Sequence, residues 1–201
     1  DKWEKKAMKG TELSGKCLGL IGFGRIAQGV ARVAKSLGME IHTYDPYLPP
    51  KVAKAQDAYL HKKVDSLFKT CTHISIHCNL TDETHHLVNA KRMSMMPGRK
   101  SGIECGNHIV NCARGGIIDE DALLSALEDG TITSAALDVF EVEPLPANNK
   151  LVQHQNFHGT PHIGAATLEA QHRVGLDIAK AVNMALAGKK PDTIVNAQFL
   201  N

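Results

Sequence analysis

Residues 16–45 read KCLGLIGFGRIAQGVARVAKSLGMEIHTYD, and this stretch decides the fold. A short apolar run at residues 17–21 leads into Gly22, which is typical of a buried strand that ends in a tight turn. After the turn, apolar residues recur at a helical spacing, namely Ile26, Val30, Val33 and Leu37. Gly38 is placed to end this helix as a C′ glycine, and a second apolar run then leads to Asp45. The stretch therefore predicts a strand, a glycine turn, a helix and a second strand.

The chemistry of a dinucleotide explains this spacing. Gly22 permits the tight turn, Gly24 lets the backbone approach a pyrophosphate, and the small Ala27 lets the helix pack closely on the strand. The first N–H groups of the helix and the positive end of its dipole then face the phosphates. Asp45, a little over twenty residues beyond Gly22, is placed to accept hydrogen bonds from the ribose hydroxyls. Its charge should repel a 2′-phosphate, so the predicted cofactor is NAD and not NADP.

The composition excludes several classes of protein. The 201 residues carry a formal net charge of +2 with both signs spread along the chain, which argues against a nucleic acid or an acidic membrane surface as partner. Neither a membrane-spanning apolar run nor a signal peptide is present in this sequence. The five cysteines form an odd set without the CxxC spacing, which favours buried thiols in a reducing compartment over disulfides. A cytoplasmic protein is expected.

Beyond residue 45 the pattern alternates between strands and helices. Candidate strands occupy residues 73–77, 109–112 and 135–138, and candidate helices occupy residues 64–69, 89–96, 119–130 and 167–187. This alternation predicts an α/β protein with a doubly wound parallel sheet, a Rossmann fold with three α/β/α layers. Three prolines within residues 46–50 predict a surface loop without regular structure.

Five motifs occur in one order along the chain, namely GFGRIA at 22–27, YDP at 44–46, NCARGG at 111–116, ALDVFEVEP at 136–144 and TPHIG at 160–164. With these motifs the chain resembles the nucleotide-binding domain of the NAD-dependent D-2-hydroxyacid dehydrogenases, the 3-phosphoglycerate dehydrogenase and hydroxypyruvate reductase group. The resemblance implies hydride transfer between NAD(H) and a D-2-hydroxy acid/2-keto acid pair, in a homodimer. It also implies an alternative, because NAD-sensing corepressors related to this family keep the same fold.

The resemblance assigns three catalytic roles. Arg114 matches the arginine that holds the substrate carboxylate and keto oxygen, and a guanidinium fork suits a planar carboxylate. His162 matches the general acid/base, and Glu143 matches the carboxylate that braces it and favours its protonated form. Arg114 as a loop cap, Glu143 as a solvated acid and His162 as a helix cap remain alternatives. The implied cofactor contacts are Gly22, Gly24, Arg25, Ile26, Asp45, Asn79, Cys112, Ala113, Asp138 and Gly164.

Two segments depart from the family pattern. Asn79 stands where the family usually has proline. Residues 99–108 replace a much shorter connection, and their glycine and charge content predicts an exposed excursion without a packed element. Cys105, His108 and Cys112 do not make a convincing zinc site, because a fourth ligand is missing and Cys112 belongs to the cofactor strand. No metal site is predicted.

The predicted organisation is an NAD-binding domain at residues 1–187, followed by residues 188–201, which lead towards a substrate domain. In the family that domain is built mostly from residues that precede the first motif. The chain alone is therefore expected to bind NADH with little or no turnover.

Overall fold

The computed structural model of the protein describes residues 9–194. Contacts divide the chain into two compact units, Asp1–Pro161 and His162–Asn201. This division falls before the predicted domain boundary at residue 187, which stays a prediction. Of the predicted tail, residues 195–201 lie outside the described part of the chain.

The first unit contains a sheet of seven strands, all paired in parallel. Its strands are β1 (Cys17–Ile21), β2 (Glu40–Tyr44), β3 (Tyr59–Leu60), β4 (His73–Ile76), β7 (His108–Asn111), β8 (Ser134–Leu137) and β9 (Phe157–Gly159). The two intervening strands, β5 (Arg99–Lys100) and β6 (Ile103–Glu104), form a separate antiparallel hairpin. The order in the large sheet is β3-β2-β1-β4-β7-β8-β9. The predicted doubly wound parallel sheet is confirmed, and its winding direction reverses between β1 and β4.

Helices cover both faces of this sheet. They are α1 (Arg25–Ser36), α2 (Pro50–Ala55), α3 (Val64–Thr70), α4 (Ala90–Met93) and α5 (Glu120–Glu128). Side chains of β1 alternate between two cores, because Cys17 and Ile21 pack with α3 and α5 while Leu18 and Leu20 pack with α1. The three-layer arrangement is therefore confirmed. Among residues 9–194, no helix combines the length and the apolar character that a membrane crossing needs.

The second unit contains α6 (Leu168–Leu186), which confirms the helix predicted at residues 167–187. Thr167 caps it, since its hydroxyl oxygen accepts a hydrogen bond from the backbone N–H of Ala170 at 3.1 Å.

Helix α1 turns a different face to the sheet than its apolar pattern suggests. Its buried residues are Ala27, Ala31 and Ala34, whereas Ile26 and Val33 are 75% and 63% exposed. Small side chains on the inner face let the helix axis come close to the strands, as Ala27 predicts. The larger apolar residues are left as a stripe on the outer face.

The predicted loop at residues 46–50 is wrong at its end, because α2 begins at Pro50. The first position of a helix tolerates proline, since the N–H that proline lacks has no partner inside the helix. Pro50 therefore starts a helix here instead of extending the loop.

The expectation for residues 99–108 is also wrong in part. The segment forms the β5–β6 hairpin, with Ser101 and Gly102 at its tip in the left-handed region at φ values of 51° and 79°. Positive φ at both central residues is the pattern of a type I′ turn, for which glycine is favoured. The tip is exposed as predicted, but Cys105 and Asn107 at the base are buried. In the sequence, the glycine content of this segment indicates irregular structure. The hairpin instead needs glycine at two positions with positive φ, Gly102 at the tip and Gly106 at the base, where φ is 75°.

Asn107 ties the base of the hairpin to the beginning of β8. Its side-chain oxygen accepts from the Gly98 N–H at 2.8 Å, and its amide donates to the Thr131 carbonyl at 2.9 Å. The side chain of Asn107 is buried and the two bonds are half-buried, so their loss would leave backbone groups without partners where water has limited access.

We predict that Asn107→Ala lowers the free energy of unfolding by about 1 to 3 kcal/mol, because it leaves a half-buried donor and a half-buried acceptor unpaired. The matched control is Glu104→Gln in the same hairpin, which breaks only an exposed ion pair with Arg99 and should cost less than about 1 kcal/mol. Urea unfolding of both variants measures the difference. Equal effects of the two substitutions would contradict the structural role of Asn107.

Candidate functional site

A cleft opens at the carboxyl ends of β1 and β4, where the winding of the sheet reverses. In open α/β sheets this point is where ligands bind. The cleft encloses about 450 Å³, and four of the predicted cofactor residues line it, namely Gly22, Gly24, Asp45 and Asn79.

Gly22 and Gly24 of the turn are glycines for different physical reasons. Gly22 has a φ of 84°, and a Cβ there would lie 2.9 Å from the backbone carbonyl carbon and oxygen of His77. The fold itself therefore requires glycine at position 22. At Gly24 a Cβ would meet no atom within 4 Å, and the backbone φ of −72° suits any residue. The space beside Gly24 is free for a ligand.

The first turn of α1 is suited to an anion. Gly24 is the N-cap residue, no side chain caps this helix, and its first turn contains no acidic residue. The N–H groups of such a turn lack helical partners and carry partial positive charge. Arg25 and Ile26 are exposed on this turn but are not among the residues that line the cleft, so their predicted contacts stay predictions.

Asp45 is fixed by the backbone at the end of β2. Its Oδ2 accepts from the Phe23 N–H at 3.0 Å, and its Oδ1 accepts from the Tyr47 N–H at 3.0 Å. A carboxylate has about four acceptor positions. Two of them hold the carboxylate at the cleft, and the others remain for hydroxyl donors.

Part of the cleft lining, the residues that follow β4, is not predicted from the sequence. His77 and Cys78 line the cleft together with Thr81 and Tyr47. Burial lowers the pKa of His77, and burial together with the charge of Asp45 raises the pKa of Cys78 to about 11. This wall is therefore uncharged at neutral pH. Only the strand order, in which β4 lies beside β1, could have identified these residues.

The loop after β7 carries Arg114. The side chain of Asn111 shapes this loop, because its Oδ1 accepts from the Ala113 N–H at 2.9 Å and its Nδ2 donates to the Arg114 carbonyl at 2.9 Å. Arg114 and Cys112 are exposed on the same edge of the sheet as the cleft. Burial and the charge of Asp138 raise the pKa of the Cys112 thiol.

The loop after β8 carries Asp138 and Glu143. Asp138 is buried, and its Oδ1 accepts from the Thr160 hydroxyl at 2.6 Å. Glu143 Oε1 accepts from the Phe140 N–H at 2.9 Å, which fixes the carboxylate on its own loop.

Two contacts join the Arg114 loop to the Glu143 loop. A side chain at Gly115 would overlap the Phe140 carbonyl, so the two backbones touch there. The Nε2 atom of His86 lies 3.0 Å from Glu141 Oε1, and the His86 N–H donates to the Gly116 carbonyl at 2.8 Å. His86 is thus a packing residue between loops.

His162 and Gly164 belong to the second unit. His162 has a φ of 54°, a conformation in which histidine is enriched among non-glycine residues. The pairing of His162 with Glu143 and the cofactor contact of Gly164 stay predictions.

The cysteines are free thiols, as predicted, and three of them are buried, but Cys78 is half-buried and Cys112 is exposed. His108 is engaged elsewhere, because its Nδ1 lies 2.7 Å from the Ser134 hydroxyl and its Nε2 lies 2.9 Å from the Cys105 carbonyl oxygen.

The two glycines of the turn can be separated by experiment. Gly22→Ala should cost about 1 to 3 kcal/mol of stability or more, from the left-handed backbone and the contact with His77. Gly24→Ala should cost less than about 1 kcal/mol but weaken NADH binding about tenfold or more, since its methyl group displaces the pyrophosphate from N–H donors. Thermal unfolding measures the change in stability of each variant, and fluorescence titration measures its affinity for NADH. Normal NADH binding by Gly24→Ala would show that the pyrophosphate lies elsewhere.

Comparison with known proteins agrees with this geometry. The family described as "D-isomer specific 2-hydroxyacid dehydrogenase, NAD binding domain" matches residues 1–164. A D-3-phosphoglycerate dehydrogenase of Methanocaldococcus jannaschii is 45% identical over 96% of this chain and 36% of its own length. A hydroxypyruvate reductase of Thermotoga maritima is 46% identical over 90% of this chain and 56% of its own length.

The crystal structure of a glyoxylate reductase from Paecilomyes thermophila superimposes with a TM-score of 0.84 at 33% identity, over 98% of this chain and 57% of that one. The chain thus spans about a third to a little over half of the relatives that it matches. By its fold, its glycine turn and its match over residues 1–164, the chain belongs to the D-isomer-specific 2-hydroxyacid dehydrogenases and contains their NAD-binding domain.

Proposed function

We propose that this chain is the nucleotide-binding part of an oxidoreductase that transfers a hydride between NAD(H) and a D-2-hydroxy acid/2-keto acid pair. One observation carries the proposal. The cleft of the glycine turn, the Arg114 loop and the Glu143 loop follow β1, β7 and β8 of one parallel sheet, so all three lie on its carboxyl edge. Cofactor and substrate groups therefore meet on one side of the sheet.

In the proposed reduction, NADH supplies the hydride to the keto carbon when it is bound. Arg114 holds the substrate carboxylate through two parallel N–H donors, which orients the keto carbon towards the nicotinamide. His162 donates its proton to the keto oxygen as negative charge develops there. Glu143, held by the Phe140 N–H, stabilises the protonated imidazole before the transfer. The reverse reaction uses the same groups, with His162 accepting the hydroxyl proton.

The choice of acid and the assembly are part of the proposal. The names of the relatives suggest phosphohydroxypyruvate, hydroxypyruvate and glyoxylate as the keto acids to test. We infer a cytoplasmic location and a homodimer. The outer apolar stripe of α1 supports the dimer, since Ile26, Val33 and Leu37 are at least half exposed. Light scattering of the purified protein measures the assembly, and a monomer at all concentrations would contradict it.

Turnover of the complete protein tests the activity. NADH absorbance should fall in the presence of at least one of the three keto acids. The alternative is an NAD-sensing binding protein of the same fold, which would bind NADH with equal strength and oxidise none of it. The 201-residue chain alone should bind NADH, because the cleft and the Arg114 and Glu143 loops lie within it, but should turn over slowly.

We predict that His162→Asn lowers kcat by about 10² to 10⁴, because it removes the proton donor, without changing NADH binding. Asparagine tolerates the left-handed backbone at this position. The matched control is His158→Asn, an exposed histidine of β9 that should leave kcat unchanged. Equal rates for wild type and His162→Asn would remove His162 from the mechanism.

Cofactor choice should depend on Asp45. Asp45→Asn should weaken NADH binding by about 10- to 100-fold, since hydrogen bonds to a charged acceptor are worth about 1.5 to 3 kcal/mol, and should narrow the preference over NADPH. The matched control is Glu83→Gln, which removes another carboxylate from the cleft lining and should leave the preference unchanged. Fluorescence titration with NADH and with NADPH measures the ratio of the two dissociation constants. Equal affinity of the wild type for NADH and NADPH would contradict the assignment.

A further inference from the structure

A cluster of metal-ligating groups lies at the amino edge of the sheet. Cys17 is the first residue of β1, Glu40 is the first residue of β2, and the two are paired in register. His42 follows two residues later on the same face as Glu40. One ligand atom from each of the three side chains lies within 4.8 Å of the others. The dinucleotide cleft is at the other end of β1, about 16 Å away at 3.3 Å per residue.

We propose that Cys17, Glu40 and His42 form a binding site for a thiophilic divalent cation of the zinc class, separate from the dinucleotide cleft. The Cys17 Sγ and Glu40 Oε2 atoms are 3.1 Å apart, and Glu40 Oε2 is 3.9 Å from His42 Nε2. A tetrahedral zinc ion separates such ligand atoms by about 3.3 to 3.6 Å. The Cys17–Glu40 and Glu40–His42 distances lie within about 0.6 Å of these values, so side-chain adjustment would bring the three ligands around one ion, with water in the fourth position.

The neighbour of His42 supports this assignment. His42 Nδ1 lies 3.0 Å from Nε2 of His61, whose side chain is buried. In the tautomer that donates from Nδ1 to His61, the lone pair of His42 is on Nε2, the nitrogen that faces Glu40. Metal-bound histidines commonly make a hydrogen bond of this kind through their second nitrogen, which fixes the ring.

Lys100 of the β5–β6 hairpin shows that these groups attract a cation. Its Nζ lies 2.6 Å from Glu40 Oε2 and 2.8 Å from Cys17 Sγ. The ammonium group therefore competes with a metal ion for the same two ligands. On metal binding, Lys100 leaves as the ammonium ion, the thiol proton of Cys17 passes to solvent, and the thiolate and carboxylate neutralise the two charges of the metal.

Two of the three ligands reach a solvent-filled groove, while Cys17 is buried behind them. Glu40 and His42 line a groove of about 690 Å³ between the amino end of β2 and the helix α2, and this groove is open to solvent. Bound metal would join the first residues of β1 and β2, so it would stabilise the native state in proportion to its free concentration.

Cobalt titration of the full chain, stripped of metal beforehand, tests the proposal. Bound Co²⁺ should produce the near-ultraviolet thiolate-to-cobalt charge-transfer absorption, and Zn²⁺ should abolish it by displacement. The absorption should be lost in Cys17→Ser and strongly reduced in His42→Gln. The matched control is Cys112→Ser, which removes an exposed thiol and should leave the absorption intact. Absence of the absorption in the wild type, or its survival in Cys17→Ser, would overturn the proposal.

Two variants that keep all three ligands guard against a folding defect in Cys17→Ser. Lys100→Ala should lower the Kd for Zn²⁺ by about tenfold or more, because it removes a positive charge within about 3 Å of two ligands. His61→Phe should raise the Kd by about 10- to 100-fold, as the loss of an orienting partner does. Competition with a chelating dye measures the Kd for Zn²⁺ in both variants. Glu104→Gln of the hairpin is the control, and its Kd should equal that of the wild type. An unchanged Kd in Lys100→Ala would show that zinc does not bind among these groups.

Discussion

The close contact between the turn after β1 and the backbone after β4 is the constraint on which the structure depends. Gly22 lies so near the His77 carbonyl that no side chain fits between them. This contact holds β1 and β4 at the distance of neighbouring parallel strands just where the sheet changes direction. The gap that forms beyond their ends is the cleft, so the same approach that fixes the sheet also creates the predicted dinucleotide site.

The two edges of the sheet differ in one kind of contact. At the carboxyl edge, in addition to side-chain contacts such as that of Asp138 with Thr160, backbone lies on backbone, as Gly22 lies on His77 and Gly115 on Phe140. Such contacts leave side chains free to face ligands. At the amino edge, side chains tie the elements together, with Lys100 bound to Cys17 and Glu40, and Asn107 bound to Gly98. In the proposed reaction, the residues of the sheet that bind cofactor and substrate all lie at the carboxyl edge. The polar groups at the amino edge take no part in that reaction.

The sequence was sufficient for the five inner strands of the sheet and for the glycine turn, because period and glycine placement are local properties, but it did not predict the edge strands β3 and β9. It predicted the helix α1 and an acidic residue at the end of β2. In the structure the N-cap of α1, Gly24, and the side chain of Asp45 both line the cleft. It failed where a local pattern has two meanings. Pro50 can end a loop or begin a helix, and Gly102 can break structure or complete a type I′ turn. His77 and Cys78 could not be found from spacing, because their place in the cleft depends on which strand lies beside β1.

The contrast between Gly22 and Gly24 shows how function can be separated from fold within one motif. A glycine required by the fold has protein atoms where its side chain would be, and its backbone is in the left-handed region, as at Gly22. Gly24 has neither property, since the space beside it is empty and its φ of −72° suits any residue. The structure alone gives no reason for a glycine at position 24. The reason must then lie in a molecule that binds there, and a pyrophosphate in contact with the first N–H groups of α1 would need that space.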